Sequence, residues 1–580
     1  MHRAKLLGIF FLFFILAIST TSAIPDNQFF PGGAGDFGYH AINIHLAIES
    51  FQSRHFWLRT APDIAHGWIY PAFIFYAPFA YTIAGLIGLL DPHQVFQFGY
   101  KYTLILAATL GAFYNFRFYL RLFKNEIAAL LGATLYLFSP YLLININVRG
   151  DFTEAFSQCI LPIALYYLYC LYTEPPVLTR QKIPLFLTAT LAYYCFMTSH
   201  VITFLYGSFF IALWFISLAL HKRQLASLKP LLLCGLASLC LAAWYIGPVL
   251  LVHHTLVIAD SLADPWSLAF ITTLPTLLSP KALSVAPGFG LFALDPGVGI
   301  PVILSVGYWI YHCYLRRPKL TTEYFPLIKT TLWLFLLAFF MAWTPFDFWR
   351  FLPHNTHVVQ FSYRILTNTM WLGGILFVAM LVHVFEENKL NARHCLLGLF
   401  LIPLANSQWM TSNYLDGATT VPLTDINNLS LSNPLYHFDY LVSGSRIRFK
   451  GDPDTTTPLL PVATVQPQCQ KQGLNLLHCT LKSTIQTQQI QLPILYYPYL
   501  LKVSVNGKTV PYYPTASTEF YLNDPQLPLL LATIKIPAET AHIEACFTGL
   551  RPANLISAIS WMIFILAGVV SFLWRKKWVL

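Results

Sequence analysis

The sequence predicts a polytopic α-helical membrane protein with about twelve transmembrane helices and a β-rich domain before the last of them. Of its 580 residues, 56% are hydrophobic and only 10% are charged, too few for the surface of a soluble chain of this length. Apolar runs near the ~20 residues needed to cross a bilayer alternate with short loops that carry lysine and arginine. After about residue 407 the sequence becomes polar and alternating, which indicates β-structure.

The same observations disfavour several classes of function. The formal net charge of +10 arises largely from short loops between apolar runs, and no basic face or nucleic-acid-binding motif accompanies it. No predicted span carries a charged residue near its middle, as an ion-coupled transporter usually does. P-loop, dinucleotide-binding and nucleophile-triad signatures are also absent from the sequence. Nucleic-acid binding, ion-coupled transport and nucleotide-driven chemistry are therefore disfavoured.

The N-terminal segment, residues 1–23, has a basic start and an apolar run from Leu6 to about Ala23. It is consistent with a retained first transmembrane helix, and also with a signal peptide that is cleaved after Ala23. Both alternatives place the following segment, residues 24–97, outside the membrane. We therefore expect this segment to be the first periplasmic loop.

One apolar stretch in that loop, residues 72–90, does not fit the alternation of loops between the cytoplasmic and periplasmic sides. If it crossed the membrane, Arg117, Arg121 and Lys124 would lie outside, against the bias that keeps basic loops in the cytoplasm. The stretch also begins among prolines and aromatic residues, whose amphipathic rings favour the headgroup layer. We therefore predict a helix that lies in the outer membrane interface.

Residues 98–407 are predicted to form the transmembrane core, and residues 553–580 a final helix with a basic cytoplasmic tail. Between them, residues 408–552 are predicted to be a β-rich periplasmic domain. Its run Leu501–Val505 is followed by Asn506-Gly507, a strong hairpin signal. The predicted spans after the first are 98–118, 126–143, 155–172, 183–199, 201–220, 230–252, 299–315, 325–343, 363–385, 394–407 and 554–574.

Cysteines divide between these regions. Most lie in or beside apolar runs, where a thiol behaves as a small packing residue. Cys469 and Cys479 lie instead in the polar domain and can form a disulfide if that domain is periplasmic. No cysteine or histidine spacing resembles a zinc site.

The first candidate functional residue is Asp36, which lies between Gly35 and Gly38 in the first outer loop. Glycine lets a backbone approach a ligand closely, and a carboxylate at the outer interface can take a proton from a hydroxyl group. The same glycine-rich stretch is equally typical of a simple turn. Asp63 and His66 are weaker candidates in this loop.

Arg149, Asp151 and Glu154 form a second candidate group in a short outer loop. The arginine can contact a phosphate, and the carboxylates can hold sugar hydroxyls or a metal-bridged phosphate. Acidic residues there also favour the start of the next helix electrostatically, which is a purely structural role.

Gln360, Arg364 and His200 complete the candidates. Arg364 enters a span from the outer side, where it can contact a lipid phosphate or merely extend to the membrane surface. His200 lies in a tight outer turn, where it can bind a sugar or donate a proton. A histidine that caps the turn is the simpler interpretation.

The first outer loop resembles that of GT-C superfamily glycosyltransferases. It contains a carboxylate, followed by the proline- and aromatic-rich stretch from Trp68 to Pro78. More closely, the chain resembles bacterial YfhO-type membrane proteins, some catalogued as 6-pyruvoyl-tetrahydropterin-synthase-related. The stretches that carry this resemblance are Gly35-Asp36, Arg149 to Glu154 with Leu161-Pro162, Gln360 to Arg364, and Leu495 to Lys508.

The resemblance implies a GT-C-type enzyme of the bacterial inner membrane. It would transfer a sugar from a polyprenyl-phosphate donor to a glycan, lipid or protein acceptor of the envelope, at the periplasmic face. Asp36 would be the catalytic residue, and the substrate-binding residues would be Arg149, Asp151, Glu154, His200, Gln360 and Arg364.

The resemblance also implies both termini in the cytoplasm, contact with membrane lipids and no nucleic-acid partner. A divalent cation, Mg²⁺ or Mn²⁺, is left open as a cofactor, with no ligands assigned. The alternative function is a non-catalytic scaffold or assembly factor for envelope polysaccharide, with the β-rich domain as its binding module.

Overall fold

The computed structural model describes residues 3–22, 24, 28–29, 36–55, 57–61, 67–174, 183–256, 272–279, 296–315, 324–353, 359, 361–388, 392–410, 421–422, 467–473, 475–481, 488–520, 528–536 and 541–576. Helices dominate up to residue 410, and strands dominate from residue 468 to residue 547. A long helix then ends the described chain. The predicted class, a helical membrane protein with a β-rich region before its last helix, is confirmed.

The described residues form the following α-helices. In order they are α1 (Arg3–Thr20), α2 (Phe37–Gln52), α3 (Ala72–Phe75), α4 (Pro78–Gly88), α5 (Thr103–Phe123), α6 (Glu126–Leu137), α7 (Pro140–Asn147), α8 (Phe152–Thr173), α9 (Ile183–Ser199), α10 (Val201–His221), α11 (Leu228–Leu241), α12 (Ala243–Val252), α13 (Leu274–Leu278), α14 (Ile300–Ile310), α15 (Phe325–Trp343), α16 (Leu366–Asn388), α17 (Ala392–Asn406) and α18 (Arg551–Lys576). Val95–Tyr102 and Tyr311–Leu315 are π-helical, and Ser362–Ile365 is a 3₁₀ turn.

Fewer helices than the expected twelve or so can cross a membrane. Among the described residues, seven are long and apolar enough: Arg3–Thr20, Glu126–Asn147, Phe152–Thr173, Val201–His221, Phe325–Trp343, Ser362–Val384 and Arg551–Leu573. The pair α11 and α12, bent by 78°, makes an eighth if it counts as one span. Three other predicted spans, 183–199, 299–315 and 394–407, correspond to shorter apolar helices, Ile183–Ser199, Ile300–Leu315 and Leu396–Met410.

Helix α4, in the stretch predicted to lie at the interface, is too short to cross a membrane. Its 11 residues extend about 16 Å at ~1.5 Å per residue, against a hydrocarbon core of about 30 Å. The expectation that the nearby aromatic rings face the headgroups is wrong for Tyr70 and Tyr81. Both side chains are buried inside the protein, because they pack against α2 and its neighbours.

The β-rich region contains two antiparallel sheets. Its strands are β3 (Gln468–Gln472), β4 (Leu476–Leu481), β5 (Gln488–Leu495), β6 (Leu501–Val505), β7 (Lys508–Thr509), β8 (Tyr512–Phe520), β9 (Pro528–Ile536) and β10 (Ala541–Phe547). One sheet has the order β3-β4-β10-β6-β7, and the other has the order β5-β9-β8. A separate two-stranded pair joins β1 (Gln28–Phe29) to β2 (Val421–Pro422).

Two local predictions for this region are confirmed. Asn506 and Gly507 both have positive φ angles, +48° and +79°, and they join β6 to β7 as a tight hairpin. Cys469 and Cys479 face each other on β3 and β4 and form a disulfide.

The β-rich region packs against the segment that follows α2. The guanidinium group of Arg59 donates to the carbonyl of Thr548 at 2.5 Å and to Asn554 Oδ1 at 3.3 Å. The rings of Phe75 and Tyr497 stack with their centroids 5.7 Å apart. These contacts connect the region to the part of the chain between α2 and α4.

Candidate active site

Six elements bring the candidate residues to one end of the helical bundle. Asp36 immediately precedes α2, and Arg149 and Asp151 lie in the turn between α7 and α8. Glu154 lies in the first turn of α8. His200 joins α9 to α10, and Arg364 lies in the 3₁₀ turn before α16. All six residues lie at or beside helix ends, so their side chains can meet without entering the middle of a span.

Arg149 lies at the centre of this cluster. Its guanidinium group is 2.7 Å from Glu154 Oε2, 3.0 Å from Asp151 Oδ2 and 3.6 Å from Asp36 Oδ2. The side chain is only 3% exposed. One buried cation therefore holds two carboxylates from its own part of the chain and a third, Asp36, that is distant in the sequence.

A second guanidinium group, that of Arg364, contacts two of these carboxylates, Asp151 and Glu154. Its Nε is 3.3 Å from Glu154 Oε2, and its Nη2 is 3.8 Å from Asp151 Oδ2. The interpretation that Arg364 merely extends to the membrane surface is wrong, because the side chain is 8% exposed and faces inward. The Tyr141 hydroxyl donates to Glu154 Oε1 at 2.5 Å, so Glu154 has a partner on each oxygen.

Asp151 serves both the helix and the cluster. Its Oδ1 accepts the backbone N–H of Glu154 at 2.9 Å, which is the capping role expected at a helix start. Burial alone would raise the pKa of Asp151, but the guanidinium group of Arg149 and the nearby ring of His40, whose Nε2 is 3.4 Å from Oδ1, hold this pKa well below its usual range. The ionised carboxylate therefore stabilises the fold above the ordinary aspartate pKa of ~3.9, and this contribution is lost as pH falls through the lowered value.

His200 caps α10, as its turn position suggested. The backbone N–H of Thr203 donates to Nδ1 at 3.3 Å, which makes Nδ1 an acceptor and assigns the single proton of a neutral ring to Nε2. Burial lowers the pKa of His200 to about 3, so the ring is neutral at physiological pH. Its Nε2 is buried without a hydrogen-bond partner in the structure. The ring therefore presents one free N–H donor to the cluster.

Asp36 differs from the other carboxylates in its access to solvent. Its side chain is 31% exposed, whereas those of Asp151 and Glu154 are 1% and 0% exposed. Its backbone N–H donates to the carbonyl of Arg149 at 2.8 Å, which fixes the position of Asp36 at the rim of the cluster. Among the described carboxylates of this cluster, Asp36 alone can meet an incoming hydroxyl group.

Aromatic rings cover the two arginines. The rings of Phe361 and Tyr363 stack with their centroids 5.3 Å apart. Arg149 lies 5.9 Å and 5.6 Å from their centroids, and Arg364 lies 5.1 Å from that of Phe361. These distances suit cation–π attraction, which strengthens when water is excluded.

Gly150 lets the chain turn between Arg149 and Asp151. Its φ is +67°, and a Cβ atom there would lie 2.2 Å from the ring of Phe37. At a position whose backbone suits alanine, Gly→Ala raises stability by up to ~1 kcal/mol. At Gly150 the backbone and the space do not suit alanine, so we expect Gly150→Ala to lower stability by more than that amount and to move Arg149. Thermal unfolding in nanodiscs measures the effect. Gly307→Ala is the control, because that helical position has open space around it and should lose no stability.

Sequence reasoning missed two residues of the site, His40 and Tyr141. His40 Nε2 is 3.4 Å from Asp151 Oδ1, and its Nδ1 is 2.7 Å from the Tyr81 hydroxyl. His40 follows Asp36 by one helical turn, and this spacing was the available signal. Tyr141 lay inside a predicted span and gave no signal. Gln360, Asp63 and His66 lie outside the described residues.

Two groups of side chains could hold a metal ion by distance alone. The potential ligand atoms of Asp36, His40 and Asp151 lie within 4.8 Å of one another, as do those of Asp151, Glu154 and His200. Both groups share Asp151, whose Oδ2 already faces Arg149. The fit to a metal is poor, because guanidinium groups already neutralise these carboxylates and the free Nε2 of His200 carries a proton rather than a lone pair.

No protein-family model matches the sequence, and neither does any curated protein. Solved structures do show similarity. ArnT from Cupriavidus metallidurans bound to undecaprenyl phosphate is 11% identical, with a TM-score of 0.39, over 70% of this chain and 64% of that one. The Archaeoglobus fulgidus oligosaccharyltransferase tethered to an acceptor peptide is 12% identical, with a TM-score of 0.43, over 71% and 56%.

Arabinosyltransferase EmbB from Mycobacterium smegmatis is 11% identical, with a TM-score of 0.32, over 95% of this chain and 64% of that one. The chain thus spans less than two thirds of the length of each of these three proteins. Sugar transferases occur among them, which is the broad class that the sequence resemblance implied. Overlap of this size does not assign an activity, a donor or an acceptor.

Proposed function

We propose that the protein is an integral-membrane glycosyltransferase of GT-C type, related to the YfhO-type proteins that its sequence resembles. The donor is a polyprenyl-phosphate-linked sugar, and the acceptor is a hydroxyl group of an envelope glycan, lipid or protein. The observation that carries the proposal is an accessible carboxylate beside two buried arginines. Asp36 pairs with Arg149, and Arg149 and Arg364 both contact Asp151. A base beside fixed positive charge suits a reaction in which a hydroxyl attacks and a phosphate leaves.

In the proposed reaction, an oxygen of the Asp36 carboxylate takes the proton from the acceptor hydroxyl. The acceptor oxygen attacks the anomeric carbon of the donor sugar and forms the new glycosidic bond. The bond between that carbon and the phosphate oxygen breaks, and its electron pair leaves with the polyprenyl phosphate. No oxidant, reductant or nucleotide is needed for this balance.

The remaining residues prepare the site for the leaving phosphate. Arg149 and Arg364 are held before substrate arrives, so they need no reorganisation when charge develops on the phosphate. The free Nε2–H of His200 is a further donor for a phosphate or sugar oxygen. Asp151 and Glu154 act through the arginines, because their oxygens are engaged inside the protein. They are positioning residues.

The proposal includes the side of the membrane on which the site lies. We place Asp36, Asp151 and the β-rich region on the periplasmic side of a bacterial inner membrane, with both termini in the cytoplasm. The shortness of α4 and the basic residues Arg117, Arg121 and Lys124 support this topology.

Cysteine labelling tests that topology at two exposed positions, His93 and Lys124. In a background without the native cysteines outside the disulfide, His93→Cys should react with an impermeant maleimide in intact spheroplasts. Lys124→Cys should react only after the membrane is permeabilised, because the proposed topology places α5 across the membrane between the two positions. The reverse labelling pattern would place residues 91–94 in the cytoplasm and refute the proposed orientation.

A further inference from the structure

We propose that Arg149 occupies the place that a divalent cation would take among these carboxylates, so that the site binds no divalent metal while Arg149 is present. Its guanidinium group lies within 3.6 Å of an oxygen of Asp36, of Asp151 and of Glu154. An arginine is always charged and offers several fixed donors, so it can bridge three carboxylates as a metal ion does. The inference deepens the proposed function of this site but concerns metal binding, which can be measured without it.

Charge balance supports the inference. The three carboxylates and the two guanidinium groups of Arg149 and Arg364 leave a formal charge close to neutral, with a single negative charge in excess. Part of that excess lies on Asp36, which solvent reaches. A divalent cation would reverse the sign and would place an unpaired positive charge where burial makes it costly.

The ligand atoms point to the same conclusion. A histidine binds a metal through a ring-nitrogen lone pair, but the Nδ1 of His200 accepts from Thr203 and its Nε2 therefore holds the proton. Both ring nitrogens of His40 also face protein groups. Its Nδ1 lies 2.7 Å from the Tyr81 hydroxyl, and its Nε2 lies 3.4 Å from Asp151 Oδ1.

Arg149 is also held too firmly for a metal to displace it without changing the site. Besides its carboxylate partners, it accepts the backbone of Asp36 on its own carbonyl at 2.8 Å. Phe361 and Tyr363 cover its guanidinium group, and Gly150 beside it fits tightly against Phe37. Metal entry would break contacts on every side of this residue.

Electron paramagnetic resonance of Mn²⁺ tests the inference on the full-length protein in nanodiscs. The wild type should bind no stoichiometric Mn²⁺ at this site. The Asp151→Asn variant should therefore show no loss of bound Mn²⁺ relative to the wild type. Arg149→Gln removes the guanidinium charge and keeps a polar side chain, and it should bind Mn²⁺ at least ~10-fold more tightly than the wild type. Arg149→Lys keeps the charge and should behave as the wild type does.

Two results would overturn the inference. The first is one Mn²⁺ bound by the wild type and lost in Asp151→Asn. The second is a folded Arg149→Gln protein, with a cooperative thermal transition, that gains no Mn²⁺ affinity. If Arg149→Gln does not fold, the wild-type measurement with its Asp151→Asn control still decides whether the site binds a divalent metal. Because binding is read directly, a protein without transferase activity would refute the proposed function and leave this result intact.

Discussion

Replacing Asp36 by asparagine is expected to lower sugar transfer by roughly 10²–10⁴-fold, the usual contribution of a general base. Asparagine has almost the shape of aspartate but cannot take a proton from the acceptor. The side chain is 31% exposed and its ion pair with Arg149 is long, at 3.6 Å, so folding and expression should be little changed. The measurement is transfer of radiolabelled sugar from polyprenyl phosphate by purified protein in nanodiscs.

Asp91→Asn is a matched control for that experiment. Asp91 is also a partly exposed aspartate that caps local backbone, with its Oδ1 accepting from the His93 N–H at 3.1 Å. It lies outside the cluster, so Asp91→Asn should keep wild-type transfer. Full transfer by Asp36→Asn would remove Asp36 from the mechanism. If Asp36→Asn also restored the envelope glycans of a deletion strain, the non-catalytic scaffold would be favoured.

Glu154→Gln is expected to cause the largest loss of stability, about 3–5 kcal/mol, the range measured when one partner of a buried ion pair is removed. The carboxylate of Glu154 is 0% exposed and lies within 3.3 Å of both Arg149 and Arg364. Glutamine keeps the size and the bond from Tyr141 but leaves two buried guanidinium groups with too little negative charge. Thermal or denaturant unfolding in nanodiscs measures the loss.

Two further variants separate charge from shape in this prediction. Glu49→Gln, at a side chain that is 44% exposed and pairs only with His45 at 3.3 Å, should change stability little. The double variant Glu154→Gln/Arg364→Met removes one charge of each sign. It should lose less stability than the sum of its two single variants, because interacting partners are not additive. Strict additivity would show that Glu154 and Arg364 are not coupled.

The sequence by itself determined the class of the protein. Hydrophobic content and apolar run length follow directly from composition, so the helical membrane core, the last helix and the β-rich region before it were all predictable. The Asn506-Gly507 hairpin was predictable for the same kind of reason, since its conformation depends on two adjacent residues. The capping of α8 by Asp151 and of α10 by His200 is equally local.

The arrangement of the charged site was decided only by the tertiary structure. Sequence spacing could group Arg149 with Asp151 and Glu154, but it could not show that Asp36 and Arg364 join them. From the sequence, each charged candidate residue was also interpreted separately, as a ligand for substrate. The pairing of these charges depends on contacts between residues more than a hundred positions apart, for which a single sequence holds no distance information.

Helix continuity shows the same division. The predicted span 230–252 gave no sign that the helix breaks into α11 and α12 with a bend of 78°, because hydrophobicity records burial in any apolar surroundings and not the path of the backbone. Tyr81, predicted beside headgroups, is buried against His40. Composition therefore determined which residues avoid water. Only the packing of the chain decided whether lipid or protein surrounds them and which charge neutralises which.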